Sequence, residues 1–410
     1  MSSVTPAGQV RSRRVFYIPG YDPIHPRRYR ELYRKESAEQ AKISKYQVLL
    51  KPKKTKGAYG WHVISEQDGV SVETDVEVLV WSDIVRDSMS NSIPATYLQL
   101  ARTAWTYIGS GVLWRLMRLR KGPVIAALYP VGMLLVQALA ALLLIWLGWW
   151  LGGLAGQWLG AFAGLAAGLA AAVALLRWFR GKDGKFFAYY LMHDYAYSAR
   201  WRGANPPELE ERIAAFAERI AEALSGPVDE VLVVGHSSGA HVGVSVLADL
   251  IRAGRVPADG PALGFLTLGQ VVPMVSFLPD AYRLRSDLHY LSARTELAWV
   301  DVSAPGDGCA FALCDPVTVS GVAPDQGKRW PLVVSAAFTQ TLSPGRWAEL
   351  RWRFFRLHFQ YLCAFDRPGD YDYFRITAGP LTLAARYRDR QPSRSRIDAA
   401  VGKYTAMAPA

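Results

Sequence analysis

One stretch limits what this chain can become. From Gly122 to Leu176 there is no Asp, Glu, Lys, Arg or His, a run of 55 residues. A single straight helix of that length would reach about 80 Å, against a hydrocarbon core of about 30 Å. Two passes fit, over 124–149 and 154–176, with Gly152-Gly153 near the turn. The competing readings are a buried core hairpin and a segment lying in the interface. Few soluble helices stay free of charge for so long.

The flanks set an orientation. Arg115, Arg118, Arg120 and Lys121 precede the run, Arg177, Arg180, Lys182 and Lys185 follow it, and the loop between the passes carries no charge. The positive-inside rule then places both flanks in the cytoplasm. The expectation is an integral membrane protein of the bacterial inner-membrane type with two passes. Its soluble parts, 1–121 and 177–385, would share the cytoplasmic side and form one domain, followed by a basic tail over 386–410 that is poorly ordered or lies on the surface. No secretory signal is read at the N-terminus: Arg11, Arg13 and Arg14 lead into the short strand-like VFYI.

Glycine recurs every four residues at Gly148, Gly152, Gly156, Gly160, Gly164 and Gly168. On a helix this makes one smooth face for close approach, either within the hairpin or between copies of the chain. Gln137 and Gln157 are almost the whole polar content of the run, which argues against a pore. Trp146, Trp149, Trp150 and Trp158 gather near the turn, where an interfacial belt would sit. The net charge of +12 favours anionic partners. The basic stretches at 27–35, 115–121, 177–185 and 386–396 are explained by anionic headgroups more simply than by nucleic acid. Three cysteines, Cys309, Cys314 and Cys363, exclude a dense disulfide framework and fit free thiols.

Elsewhere strand and helix patterns alternate. Strands are expected at 15–18, YQVLL ending at Leu50, 61–65, 76–81, 231–234, 264–269, 297–303 and 331–336. Helices are expected at 27–42, 84–121, 186–200 and 239–253. Another is capped by Asn205, has Pro206 at its first position, and ends at Gly226-Pro227. Near-continuous apolar strands between helices predict an α/β fold, a mostly parallel sheet covered on both faces and interrupted by the apolar hairpin.

The chemistry centres on Gly235-His236-Ser237-Ser238-Gly239, a G-x-S-x-G between a buried strand and an amphipathic helix. That context is what a nucleophile elbow requires. The turn is tight, so the residues two positions away must be small, and the helix start offers N–H groups to a developing oxyanion. Here the sequence resembles the α/β-hydrolase superfamily of serine esterases and lipases. The resemblance covers the soluble portion in element order, and only the elbow carries a motif.

The resemblance implies Ser237 as nucleophile, an acid after a later strand and a histidine near the C-terminus. Asp307, on the Gly-flanked loop after LAWVDVS, is the expected acid, with Asp315 as the alternative; Asp301 lies within the strand and reads as structural. His358 is the expected base. His241 should point away from the apex, His289 precedes Asp307, and His236 reads as a packing residue. The oxyanion donors implied are the amides of Ser238 and Tyr21, the latter following Pro19-Gly20 where the family often has His-Gly. No cofactor and no metal site are expected.

The function expected is a membrane-anchored serine hydrolase acting on an ester or thioester of a lipid or other amphiphile through an acyl-enzyme. An acyltransferase with the same three residues and a catalytically silent membrane adaptor are the alternatives. The aromatic stretch at 186–195 and the segment 266–279 could line an acyl pocket or belong to the core.

Overall fold

The computed structural model describes residues 8–21, 25–53, 56–87, 92–154 and 158–409. Within them eight strands form one sheet: β1 (Ser12–Ile18), β2 (Gln47–Pro52), β3 (Gly60–Gln67), β4 (Val70–Val78), β5 (Glu230–His236), β6 (Ala262–Leu268), β7 (Leu297–Ser303) and β8 (Leu332–Ser335). Their order is β2-β3-β4-β1-β5-β6-β7-β8. From β4 to β8 every neighbouring pair is parallel, while β3 is antiparallel to both β2 and β4. The chain is therefore α/β with a mostly parallel sheet, as the alternation of patterns predicts.

The strand expected at 76–81 instead runs over 70–78. It is the second arm of a hairpin whose two-residue loop is Asp68-Gly69, both with positive φ (51° and 76°). Paired left-handed residues are what a tight hairpin turn demands, and Asp-Gly supplies them at little cost.

The helices used below are α1 (Arg27–Ser44), α2 (Ile93–Gly109), α3 (Val112–Leu119), α4 (Lys121–Leu154), α5 (Trp158–Gly181), α6 (Ala188–Arg200), α7 (Pro207–Leu224), α8 (Gly239–Arg252), α9 (Tyr282–Ser292) and α10 (Phe354–His358). The continuous helix expected over 84–121 is broken, and Gly111 at φ 74° separates α2 from α3. Helix α7 starts one residue later than expected, with Pro206 at the cap, and Asn205 bonds Glu210 instead.

Side chains alternate across the sheet because successive strand residues face opposite ways. Phe16, Ile18, Val231 and Val233 pack with Ile213, Phe216, Val244 and Leu288 from α7, α8 and α9. Val15, Tyr17, Leu232 and Val234 pack on the other face with Tyr33, Leu357, Tyr361 and Phe374. A buried ion pair stitches the middle of the sheet to the end of the chain. Arg13 Nε donates to Glu230 at 2.6 Å, its other nitrogens donate to the carbonyls of Gly379 and Leu381, and Glu230 also accepts the amide of Leu383.

The tail after Arg386 is tied to the body by hydrogen bonds. The amides of Ser393, Ile397 and Val401 donate to the carbonyls of Val333, Leu313 and Val319. The buried Arg285 also bonds the carbonyl of Ala406 at 2.7 Å.

Helices α4 and α5 are long and apolar enough to cross a membrane; α4 exceeds its expected bounds at both ends, while α5 starts four residues later and ends five residues later than expected. Gly152 and Gly153, expected near the turn, lie in the last turn of α4. Gly156 and Gln157 lie outside the described residues. A Cβ on Gly148 would sit 2.4 Å from the carbonyl oxygen of Gly164, and one on Gly152 would sit 2.2 Å from that of Gly160. This register runs the two helices antiparallel and spends their glycine faces on each other. Followed along both helices, it sets Trp178, in the last turn of α5, level with Leu134. The first turns of α4 extend past α5 and pack on the α/β body, where Val124 meets Leu116, Leu119 and Phe311, while Leu134 meets Leu100, Tyr189 and Met192.

Candidate active site

Strand β5 ends at His236, and the chain turns at Ser237 with φ 56°. A non-glycine residue in the left-handed region costs on the order of 1–3 kcal/mol and persists only where its surroundings impose it. Here the surroundings are glycines. A Cβ on Gly239 would lie 2.1 Å from the carbonyl oxygen of Ile18, one on Gly235 would lie 2.8 Å from Ala240 Cα, and one on Gly20 would lie 2.9 Å from Ser237 Cβ. The β5 turn, the start of α8 and the loop after β1 are pressed together, and Ser237 stays half-buried. The place is the carboxyl end of β1 and β5, mid-sheet, where connections leave in opposite directions and α/β proteins form crevices.

Asp307 and His358, 51 residues apart, meet beside this turn. His358 Nδ1 donates to Asp307 Oδ2 at 2.7 Å, and both groups are buried. Gly269 makes room for them: its Cβ would lie 3.1 Å from His358 Cε1 and 3.3 Å from Asp307 Oδ2. The residue before it, Leu268, accepts the Ser237 amide at 2.9 Å. Among the described residues no hydrogen bond joins Ser237 Oγ to His358, and the buried Nε2 has no partner. Such contacts are commonly loose before substrate binds.

Three groups hold the pair that sequence reasoning did not assign. Tyr361 donates its hydroxyl to Asp307 Oδ2 at 3.0 Å and accepts the Ala304 amide. The Cys309 amide donates to Asp307 Oδ1 at 2.9 Å. His236 donates from Nε2 to the His358 carbonyl at 3.1 Å, accepts from Tyr17 at Nδ1, and stacks on the His358 ring at 4.9 Å. Burial, and then the neighbouring His358, hold His236 down to about 3, so it stays neutral. Tyr361, three residues after His358 on one helical turn, was the legible signal among these.

The other candidates fall elsewhere. Asp315, the alternative acid, caps a short helix by accepting the amides of Val317 and Thr318 and pairs with Lys328 at 2.6 Å, which removes it from the site. Asp301 is buried in β7, bonded to Thr267, and pushed up to about 7 by burial. His241 lies edge-on to Trp81, held down to about 4 by burial, and His289 bonds the carbonyl of Val322.

Of the two expected oxyanion donors, the Ser238 amide makes no hydrogen bond among the described residues. The Tyr21 amide is committed to Ser238 Oγ at 2.9 Å. This differs from the expectation for Tyr21, and the cause is the side chain of Ser238, which fills the space between the two loops.

Asp307, Cys309 and His358 each bring a potential metal-ligating atom within 4.8 Å of the other two. Burial, and then the Asp307 charge, push the Cys309 thiol well up, so it keeps its proton, and the other two are already joined by a hydrogen bond. The cluster holds protons where a metal site needs lone pairs. A groove of about 1400 Å³ opens at the opposite end of the sheet, beside Asp229, Trp330 and Tyr387, away from this chemistry.

Comparison of the chain with protein-family models, with curated proteins and with solved structures finds no match.

Proposed function

We propose that the chain is a serine hydrolase of the α/β-hydrolase type, anchored in a membrane by α4 and α5, that cleaves an ester or thioester of an amphiphile. The observation that carries this reading is the buried Asp307–His358 pair beside a serine with strained backbone angles. His358 Nε2 takes the proton of Ser237 Oγ as the oxygen attacks the acyl carbon, and the Ser238 amide receives the negative charge that forms on the carbonyl oxygen. The same proton passes to the leaving alcohol or thiol. Water, deprotonated by His358, then attacks the acyl carbon, and His358 returns that proton to Ser237 Oγ as the acid leaves.

Labelling with a fluorophosphonate probe tests this. Wild-type protein is expected to react at Ser237, and Ser237→Ala to lose the label. Intact, folded protein that does not label at Ser237 leaves the adaptor reading. Product analysis with added alcohols separates hydrolysis from acyl transfer.

The membrane part of the proposal follows from length. At about 1.5 Å per residue, α4 measures about 51 Å and α5 about 36 Å, against about 30 Å of hydrocarbon. Since the first turns of α4 pack on the body, its crossing starts near Leu134 rather than residue 124. Arg177 and Arg180 then stand at the same level, on the cytoplasmic side.

A cysteine placed at Gly153, where nothing lies within 4 Å, is expected to react with a membrane-impermeant maleimide only from the outer side. Reaction only from the inner side would reverse the topology. Gly152 is unsuitable because its Cβ would strike α5.

A further inference from the structure

We infer that a row of partly exposed aromatic rings leads the acyl chain of an amphiphile from the bilayer to Ser237. The inference rests on the hydrolase reading above and names its substrate class. The row begins at Trp178, near the end of α5 and 52% exposed. Trp178 and Phe179 both contact Phe186, at 6.3 and 5.6 Å between ring centres. The next residue, Phe187, is 42% exposed and meets Tyr190 edge-on at 6.4 Å. Tyr190 stacks on Tyr21 at 4.8 Å, with only 8° between the rings. Tyr21 follows Gly20, whose Cβ would lie 3.4 Å from Ser237 Oγ.

The row is built to hold its place. Phe187 has φ 54°, a strained conformation for a bulky residue. Asp183 fixes the start of α6 by accepting the amides of Tyr189 and Tyr190, both at 2.9 Å. Tyr190 then donates its hydroxyl to the Tyr21 carbonyl at 3.1 Å. Rings meant only for packing would be covered, as that of Tyr189 is on the same helix. These stay partly open from one end of the row to the other. Exposed Arg180, Lys182 and Lys185 surround its membrane end, at the level where an anionic headgroup would stand. A flexible chain laid along such rings gains apolar contact at every step, which a short acyl group cannot do.

The experiment compares kcat/KM for p-nitrophenyl decanoate and p-nitrophenyl acetate on the full-length protein. In Phe187→Ser the decanoate-to-acetate ratio is expected to fall about tenfold, and Phe187→Leu to restore most of it. A ratio unchanged in Phe187→Ser, or an equal loss on both esters, would overturn the inference, the latter by showing that the ring merely props the Tyr21 loop. Wild-type protein without Ser237-dependent hydrolysis of either ester would instead refute the hydrolase reading, and this inference with it.

Discussion

Asp307→Asn is expected to lower kcat about 10⁴-fold while the protein stays folded. The size follows from counting protons. The two carboxylate oxygens accept three hydrogens, from His358 Nδ1, the Tyr361 hydroxyl and the Cys309 amide. An asparagine has one oxygen and one NH2. If the oxygen faces Cys309, the NH2 meets His358 Nδ1 and selects the tautomer with its proton on Nε2, which cannot accept from Ser237. If the oxygen faces His358, two donors collide at Cys309, and the imidazolium loses its countercharge. The first orientation removes the base, and the second leaves its imidazolium without a countercharge and a buried donor at Cys309 without an acceptor. Steady-state turnover of a soluble ester gives the number, and a loss under tenfold would mean that Asp307 only packs.

Acid should destabilise the fold, by about 2 kcal/mol between pH 6 and pH 5. His236 is held down to about 3 by burial and then by His358, His241 to about 4 by burial, and His193 to about 4 by burial and then by Arg180. Between about 4 and 6.5 each is neutral when folded and protonated when unfolded, so the unfolded chain binds more protons and stability drops as pH is lowered. Asp301 acts the other way. Burial raises it to about 7, so below that it is protonated in the fold, and this favours folding as pH drops. Three histidines against one aspartate leave a net uptake of about two protons on unfolding. His241→Phe, which keeps an aromatic ring beside Trp81, should halve the slope. Thermal midpoints across this range measure it; a flat or rising profile toward pH 5 would contradict the assignment.

Local features of the fold were legible and long-range ones were not. β7 fills the expected 297–303, and β5 is the apolar run between Asp229 and Gly235 extended at each end, because buried parallel strands advertise themselves by hydrophobicity. The hairpin at Asp68-Gly69 was also written in the sequence, in a turn dipeptide that the strand reading passed over. The place of β1 was not. Its partners β4 and β5 are set by pairing across some 60 and 217 residues, and no local pattern carries that.

In the site, chain order pointed to His358 and the Gly-flanked loop after β7 pointed to Asp307, and the two are hydrogen-bonded in the fold. The commitment of the Tyr21 amide to Ser238, and the props Tyr361, His236 and Cys309, depend on which loops touch. The glycine ladder was legible as a close-packing face, and Gly152-Gly153, read as lying near the turn, fall in the last residues of α4. A Cβ on Gly152 or on Gly164 would lie 2.2 or 2.1 Å from a carbonyl oxygen of the facing helix.

The central position of β1 sets an order of events during synthesis. β1 precedes both of its neighbours in the chain; β4 can join it early, while β5 follows both apolar helices. At about 5–20 residues per second, β1 waits on the order of 10–40 s for that second partner. By then α4 and α5 have also emerged. On the membrane-anchored reading proposed above, the two halves of the body would come together at the bilayer surface rather than in free solution.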